Sequence, residues 1–350
     1  MVDFTEPRDL IPLLPAARDM LASETHRLHH AAWHDLRGRW SGLSKAKRDA
    51  ITALGWQPGH GEPRPAVRNG APIVENGSGE DFLYMHREMI GMVRAIYEQA
   101  GQPVIASWVQ ISPPGDTDSG FDVPPNWDQT DKVTQRRIAA LKSDAYNWTA
   151  MRGWDRQFKN AAHLCTLSLG ALGATLEYTV HNDMHMRWSS APRDPDTGEI
   201  VPDGRLPTDF SGKWSKPEYD FLGEFYSSHV NPVFWRLHGW VDDRIEDWFA
   251  AHADAHPGEV ERTALNGVPW FKPGRWVTAQ DPWSRPKPAH GHDHHGGHAG
   301  DGHDAGMDPK VLKRVVEILY AREAPAGIAA GEAVPSAPSA GPARATWFLT

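Results

Sequence analysis

Apolar residues recur at three- and four-residue spacing along several stretches, and the pattern predicts a mainly α chain. Helices are predicted over 13–37, 44–54, about 80–99, 129–164 with a break near Gly153, 166–188, 232–252 and 308–322. Pro232 and Pro309 are suited to first helical positions, with Asp308 as a cap. Ser78 with Asp81 fits a capping box for the helix near residue 80. One run, Val104-Ile105-Ala106-Ser107-Trp108-Val109-Gln110-Ile111, reads as a strand. The intervening segments are a Gly/Pro-rich loop at 57–79, a polar loop at 112–127 and a Pro/Gly/Asp-rich excursion at 189–218. Residues 257–288 read as irregular, with Trp and Phe side chains expected to pack onto the body. The architecture expected is a mainly α domain whose helices face each other in a bundle, with long irregular loops and little β. The chain divides into a main domain at 1–288, a low-complexity linker at 289–307, and a helix with an Ala/Pro/Gly-rich flexible tail at 308–350.

Histidine supplies the candidate chemistry. His181 and His185 lie four apart, so a helix stacks them on one face. His238 comes from a separate helix behind Pro232. Three imidazoles without a thiolate suit copper, zinc or iron. A lone histidine on a helix is ordinarily a core or surface residue, and His26, His29, His163 and His229 are read that way.

Charge and composition remove other classes. Lys plus Arg number 36 against 45 acidic residues, a net charge of -9, which argues against nucleic acid as a partner. No apolar run of the roughly 18 residues needed to span a bilayer is present, so no membrane segment is expected. The N-terminus lacks the basic and apolar regions of a signal peptide. The single Cys165 excludes an internal disulfide and fits a reducing compartment, so a cytoplasmic location is expected.

The residues around the histidines carry a resemblance. His181-Asn182-Asp183-Met184-His185, followed by Asn231-Pro232-Val233-Phe234-Trp235-Arg236-Leu237-His238 and Asp242, resembles the second copper site of type-3 copper proteins. These are the tyrosinases, catechol oxidases and o-aminophenol oxidases. Gly223-Glu224-Phe225-Tyr226-Ser227 is similar to the segment that leads into that helix in plant members. The chain departs from the pattern at Asn231, where the family usually has Asp, and at Leu237-His238, where it has a His pair.

The resemblance implies two copper ions in a four-helix bundle core. It implies dioxygen as co-substrate and a phenol hydroxylated, or a catechol or o-aminophenol oxidised. The lack of a signal peptide suits a biosynthetic role, and a small phenolic or tyrosine-derived substrate is expected. For the second site it implies His181, His185 and His238 as ligands. For the first, Phe82-Leu83-Tyr84-Met85-His86-Arg87 matches the segment that carries one ligand, His86. Gly59-His60-Gly61 stands for the middle ligand, His60. Ala32-Trp33-His34 matches the context of the remaining one, with His34 or His30 in the role. Glu177 and Asn182 stand where the family holds a water that accepts the phenol proton. Asp242 either orients a ligand imidazole through its second nitrogen or forms a structural ion pair. The alternatives to an oxidase are a dioxygen-binding protein without turnover and a mononuclear enzyme using His181, His185 and His238. Within 290–303, six histidines among Gly and Asp form a tract that could collect copper for the site or serve only as a solvated linker.

Overall fold

A computed structural model describes residues 5–115, 121–286 and 307–322. The histidine-rich tract and the tail lie outside them. The fold is mainly α. Six helices build or flank the histidine-bearing core: α1 (Glu24–Arg39), α2 (Ser78–Gln99), α3 (Leu169–Leu176), α4 (Asn182–Arg187), α5 (Pro232–Ala255) and α6 (Pro309–Tyr320).

Local chemistry sets their ends. The helix expected over 13–37 is two, because Ser23 takes extended backbone and caps α1 by accepting from the His26 amide. The expected capping box at Ser78 does not form. Gly77 precedes α2 at φ 79°, and Asp81 is instead buried against Arg64 and the Trp283 amide. The helix expected over 129–164 is broken into short pieces, with Ser143 and Asn160 each capping a new start. Asn231 caps α5 through Oδ1, which accepts from the Val233 amide at 3.0 Å, while its Nδ2 donates to the Asp220 carbonyl at 3.0 Å. An aspartate could make the first bond but not the second.

The expected helix over 166–188 is interrupted by a π-turn, Glu177–His181. Thr179 there leaves helical geometry (φ -126°, ψ -105°) and its hydroxyl donates to the Thr175 carbonyl at 2.5 Å. Such back-bonding bends helices, and π-turns concentrate at functional sites. Just upstream, α3 meets α2 with backbone against backbone. A Cβ on Gly79 would overlap the Gly170 carbonyl, and one on Gly173 would overlap the Gly79 carbonyl.

The strand expected over 104–111 does not form: the run pairs with no strand and bends at Val109 and Gln110. It lies along α5, with the Trp108 amide donating to the Arg236 carbonyl, and Gly239 leaves the room that Ser107 occupies. The strands among the described residues form two short hairpins: β1 (Val67–Arg68) with β2 (Ala71–Pro72), and β3 (Arg262–Leu265) with β4 (Val268–Phe271). Asn69-Gly70 and Asn266-Gly267 turn them, all four residues at positive φ.

The segment after α5 packs onto the body as expected. Trp270, Phe271 and Trp283 are buried. Glu80 accepts from the Thr278 and Ala279 amides, and Trp283 stacks on Trp33 at 5.7 Å. α6 closes against α1 through Tyr320 to Asp35 and Lys313 to Glu24. No described helix is long and apolar enough to cross a membrane.

Candidate metal centre

Three imidazoles meet where the π-turn, α4 and α5 converge. The Nε2 atoms of His181, His185 and His238 form a nearly equilateral triangle with edges of 3.1–3.2 Å. Two of the rings are turned inward by bonds at their outer nitrogens. His185 Nδ1 bonds the Leu222 carbonyl at 2.9 Å, and His181 Nδ1 lies 3.1 Å from the Asn182 side-chain oxygen. Both outer partners are acceptors, so each Nδ1 carries the proton and each Nε2 presents a lone pair to the triangle. A proton on His238 Nε2 could satisfy only one of them. Each corner lies about 1.8 Å from the triangle's centre, close to a nitrogen–metal bond length of about 2.0 Å, so the three nitrogens could hold one cation.

A second group lies beside it. His30 and His34, one turn apart on α1, approach His86 of α2, with one nitrogen from each within 4.8 Å of the others. His86 Nδ1 donates to the Phe82 carbonyl at 2.8 Å, and His30 Nδ1 to the Phe225 carbonyl at 2.5 Å. The Nε2 atoms of His30 and His86 are buried without a hydrogen-bond partner. Unpaired buried nitrogens are costly, and a cation would satisfy both. The two groups adjoin through His86, whose ring stacks on His238 at 4.2 Å, and which also groups with His181 and His238 within the same 4.8 Å limit.

The pocket is dry. The six histidines are at most 5% exposed. Phe225 stacks on His34 at 4.2 Å and Phe234 on His238 at 3.8 Å. Burial lowers the pKa of His30 to about 3 and of His181 to about 4, and puts His34, His86, His185 and His238 well below the ordinary value. The imidazoles are therefore neutral at physiological pH, the form that binds metal. These clusters can hold a metal ion.

Two expected residues, His60 and Glu177, are placed differently, and Asp242 takes the ion pair of its two expected roles. His60 lies outside both groups, partly exposed, with Nε2 3.7 Å from Asp281. It sits in a loop turned by Gly59 and Gly61 at positive φ, and His30 completes the trio together with His34. Glu177 is gripped by Arg37 through both oxygens, at 2.5 and 2.9 Å, with Oε1 3.8 Å from His34 Nδ1. Burial raises its pKa and Arg37 opposes the shift. Asp242 does not turn an imidazole: it pairs with Arg87 at 2.7 Å, and His238 Nδ1 is left without a partner. Asn182 adjoins His181, its side-chain oxygen 3.1 Å from Nδ1.

Sequence reasoning missed Arg37, Arg87 and His229, which contacts His30. The signal for His30 was present, since it stands four before His34 as His181 stands four before His185. No known protein-family model matches the chain, and no curated protein matches it either. The site is therefore read from its own residues.

Proposed function

We propose that this chain is a dinuclear copper oxidoreductase of the tyrosinase type, using dioxygen to oxidise a small phenolic compound. The observation that carries the reading is the donor set: two adjoining groups of neutral imidazoles whose metal-facing atoms include no carboxylate or thiolate. Dinuclear iron and manganese sites in helical bundles draw on Glu carboxylates. Imidazole suits copper, and copper heads the affinity order of the divalent first-row metals. Two coppers held side by side would pass electrons to dioxygen two at a time, and two catechols, each giving up two electrons, would account for its four-electron reduction to water.

The chain's own residues do the rest. Main-chain carbonyls of Phe82, Leu222 and Phe225 and the side chain of Asn182 fix which nitrogen of four of the six imidazoles, His86, His185, His30 and His181, faces inward. Phe225 and Phe234 exclude water from His34 and His238. Arg37 occupies both oxygens of Glu177, so that carboxylate is poorly placed to take a phenol proton. This favours oxidation of a catechol or o-aminophenol over hydroxylation of a phenol. The burial of all six imidazoles supports one alternative, a protein that binds dioxygen without turning over a phenol.

The test is copper content together with absorption after hydrogen peroxide is added to the copper-loaded protein. Two coppers per chain, an intense near-ultraviolet band and turnover of a catechol are expected. Two coppers and the band without turnover of any phenol or catechol would leave the dioxygen-binding alternative. One copper, or two without the band, would overturn the coupled site.

A further inference from the structure

His229 lies outside both histidine groups, on the far side of His30, and is fully buried. Its Nε2 is 3.1 Å from the Leu21 carbonyl, which can only accept, so Nε2 carries the proton. Its Nδ1 is therefore a lone pair, and it points at His30 Nδ1 across 3.2 Å. The His229 backbone is held too, since its carbonyl accepts from the Trp235 indole at 3.1 Å. The His30 Nδ1–H thus lies between two acceptors, the Phe225 carbonyl and the His229 nitrogen.

The other tautomer of His30 would set three lone pairs against one another at distances of 2.5 and 3.2 Å. It is excluded, and the His30 Nε2 lone pair must face His34 and His86. The rings of His30 and His229 meet nearly edge to face, with centroids 4.7 Å apart, which also limits rotation of His30.

We propose that His229 is a positioning residue for the first metal site, acting through His30; this rests on the dinuclear reading above. Outer partners of metal-bound histidine ordinarily are carboxylates, carbonyls or water, and losing one typically costs 10–100-fold in metal affinity. Here a second imidazole shares that task with a carbonyl.

The test compares full-length wild type with His229→Leu, which removes the acceptor, and His229→Asn, which restores an acceptor oxygen near the Nδ1 position. Each is titrated with Cu(I) against a chromophoric chelator, and the metal-free proteins are unfolded in urea. H229L should bind one Cu(I) as wild type does and the other about 10–100-fold more weakly, with H229N recovering most of the loss. Wild-type affinity at both sites in H229L would overturn the role. So would equal weakening at both sites in both variants with a matching loss of metal-free stability, which marks a packing residue only. Failure of wild type itself to bind two coppers would overturn the dinuclear reading and is seen before any variant is made.

Discussion

Arg37 and Glu177 form a buried ion pair at the wall of the site, and breaking it should be costly in a specific way. The two side chains are 0% and 4% exposed, joined by two short bonds between guanidinium and carboxylate. Arg37 also donates to the Ser78 carbonyl at 2.6 Å and lies over the Trp33 ring. Removing one member of such a pair strands the other charge in a dry interior, which costs about 3–5 kcal/mol, whereas replacing both with apolar residues is often near neutral. Arg37→Met and Glu177→Gln should therefore each destabilise the metal-free protein by about that much, and the R37M/E177L double variant by far less than the sum. Urea unfolding followed by circular dichroism measures all three. The cost of R37M should shrink as pH falls, because the stranded Glu177, already raised in pKa by burial, then takes up a proton. Single variants that each cost under about 1 kcal/mol, or a double variant as unstable as the sum, would refute the account. Catalysis separates the other reading: E177Q that keeps its stability but loses phenol hydroxylation would mean that Glu177 is a base after all.

Three further outcomes are expected. His60→Ala should leave the copper stoichiometry at the wild-type value, while His30→Ala should lower it by one; a loss with H60A in metal analysis would reinstate that residue. Metal-free protein should weaken on acidification, because His30 and His181 have folded pKa values of about 3 and 4 against about 6.5 unfolded. The folded state then binds fewer protons than the unfolded one below pH 6.5. Stability falls by about 1.4 kcal/mol per pH unit for each, until the folded pKa is reached, so these two lose about 4 kcal/mol together by pH 5; a urea midpoint unchanged from pH 6.5 to 5 would refute this. Gly173→Ala should cost about 1–3 kcal/mol by forcing α3 off α2, despite alanine's better helix propensity. A Tm at or above wild type would show that the contact is looser than described.

The legible parts of the sequence were those whose signal is local. Asn231-Pro232 and Asp308-Pro309 each open a helix because capping chemistry acts within three residues. Asn69-Gly70 and Asn266-Gly267 carry an equally local signal, since both are strong hairpin dipeptides. Each turns a hairpin in a segment whose composition reads as irregular, because the paired strands are too short to show alternation. The strand expected at 104–111 failed for the opposite reason. The run meets α5 at Ser107 and Trp108 and leaves Val109 exposed, and periodicity cannot say whether a short apolar run finds a strand or a helix beside it.

The site divides along the same line. His181, His185 and His238 could be grouped because two share a helix face and the third lies in a recognisable context. His60 stands in the sequence context of the middle ligand, but only the fold shows that His30 is already within reach of His34 and His86. Which carboxylate meets which cation is equally tertiary: Arg37 and Glu177 are 140 residues apart, Arg87 and Asp242 155. The sequence leaves open whether Asp242 meets an imidazole or a cation and places Glu177 at a water, and in the fold both carboxylates pair with arginine.

With Glu177 and Asp242 neutralised by arginine, the imidazoles are aimed mainly by main-chain carbonyls, Phe82 for His86, Leu222 for His185 and Phe225 for His30. A carbonyl fixes a tautomer without adding a charge, so the pocket stays neutral while its lone pairs face one another. Two converging nitrogen lone pairs, of which a proton on His238 could satisfy only one, are unfavourable in a buried site until a cation joins them, so metal affinity and folding stability must be linked. Ion binding should then raise the unfolding midpoint in proportion to the logarithm of free metal over Kd. The backbone contact at Gly79 and Gly173, about two helical turns from His86, is what brings α2 and the π-turn close enough to hold those lone pairs in place before any ion arrives.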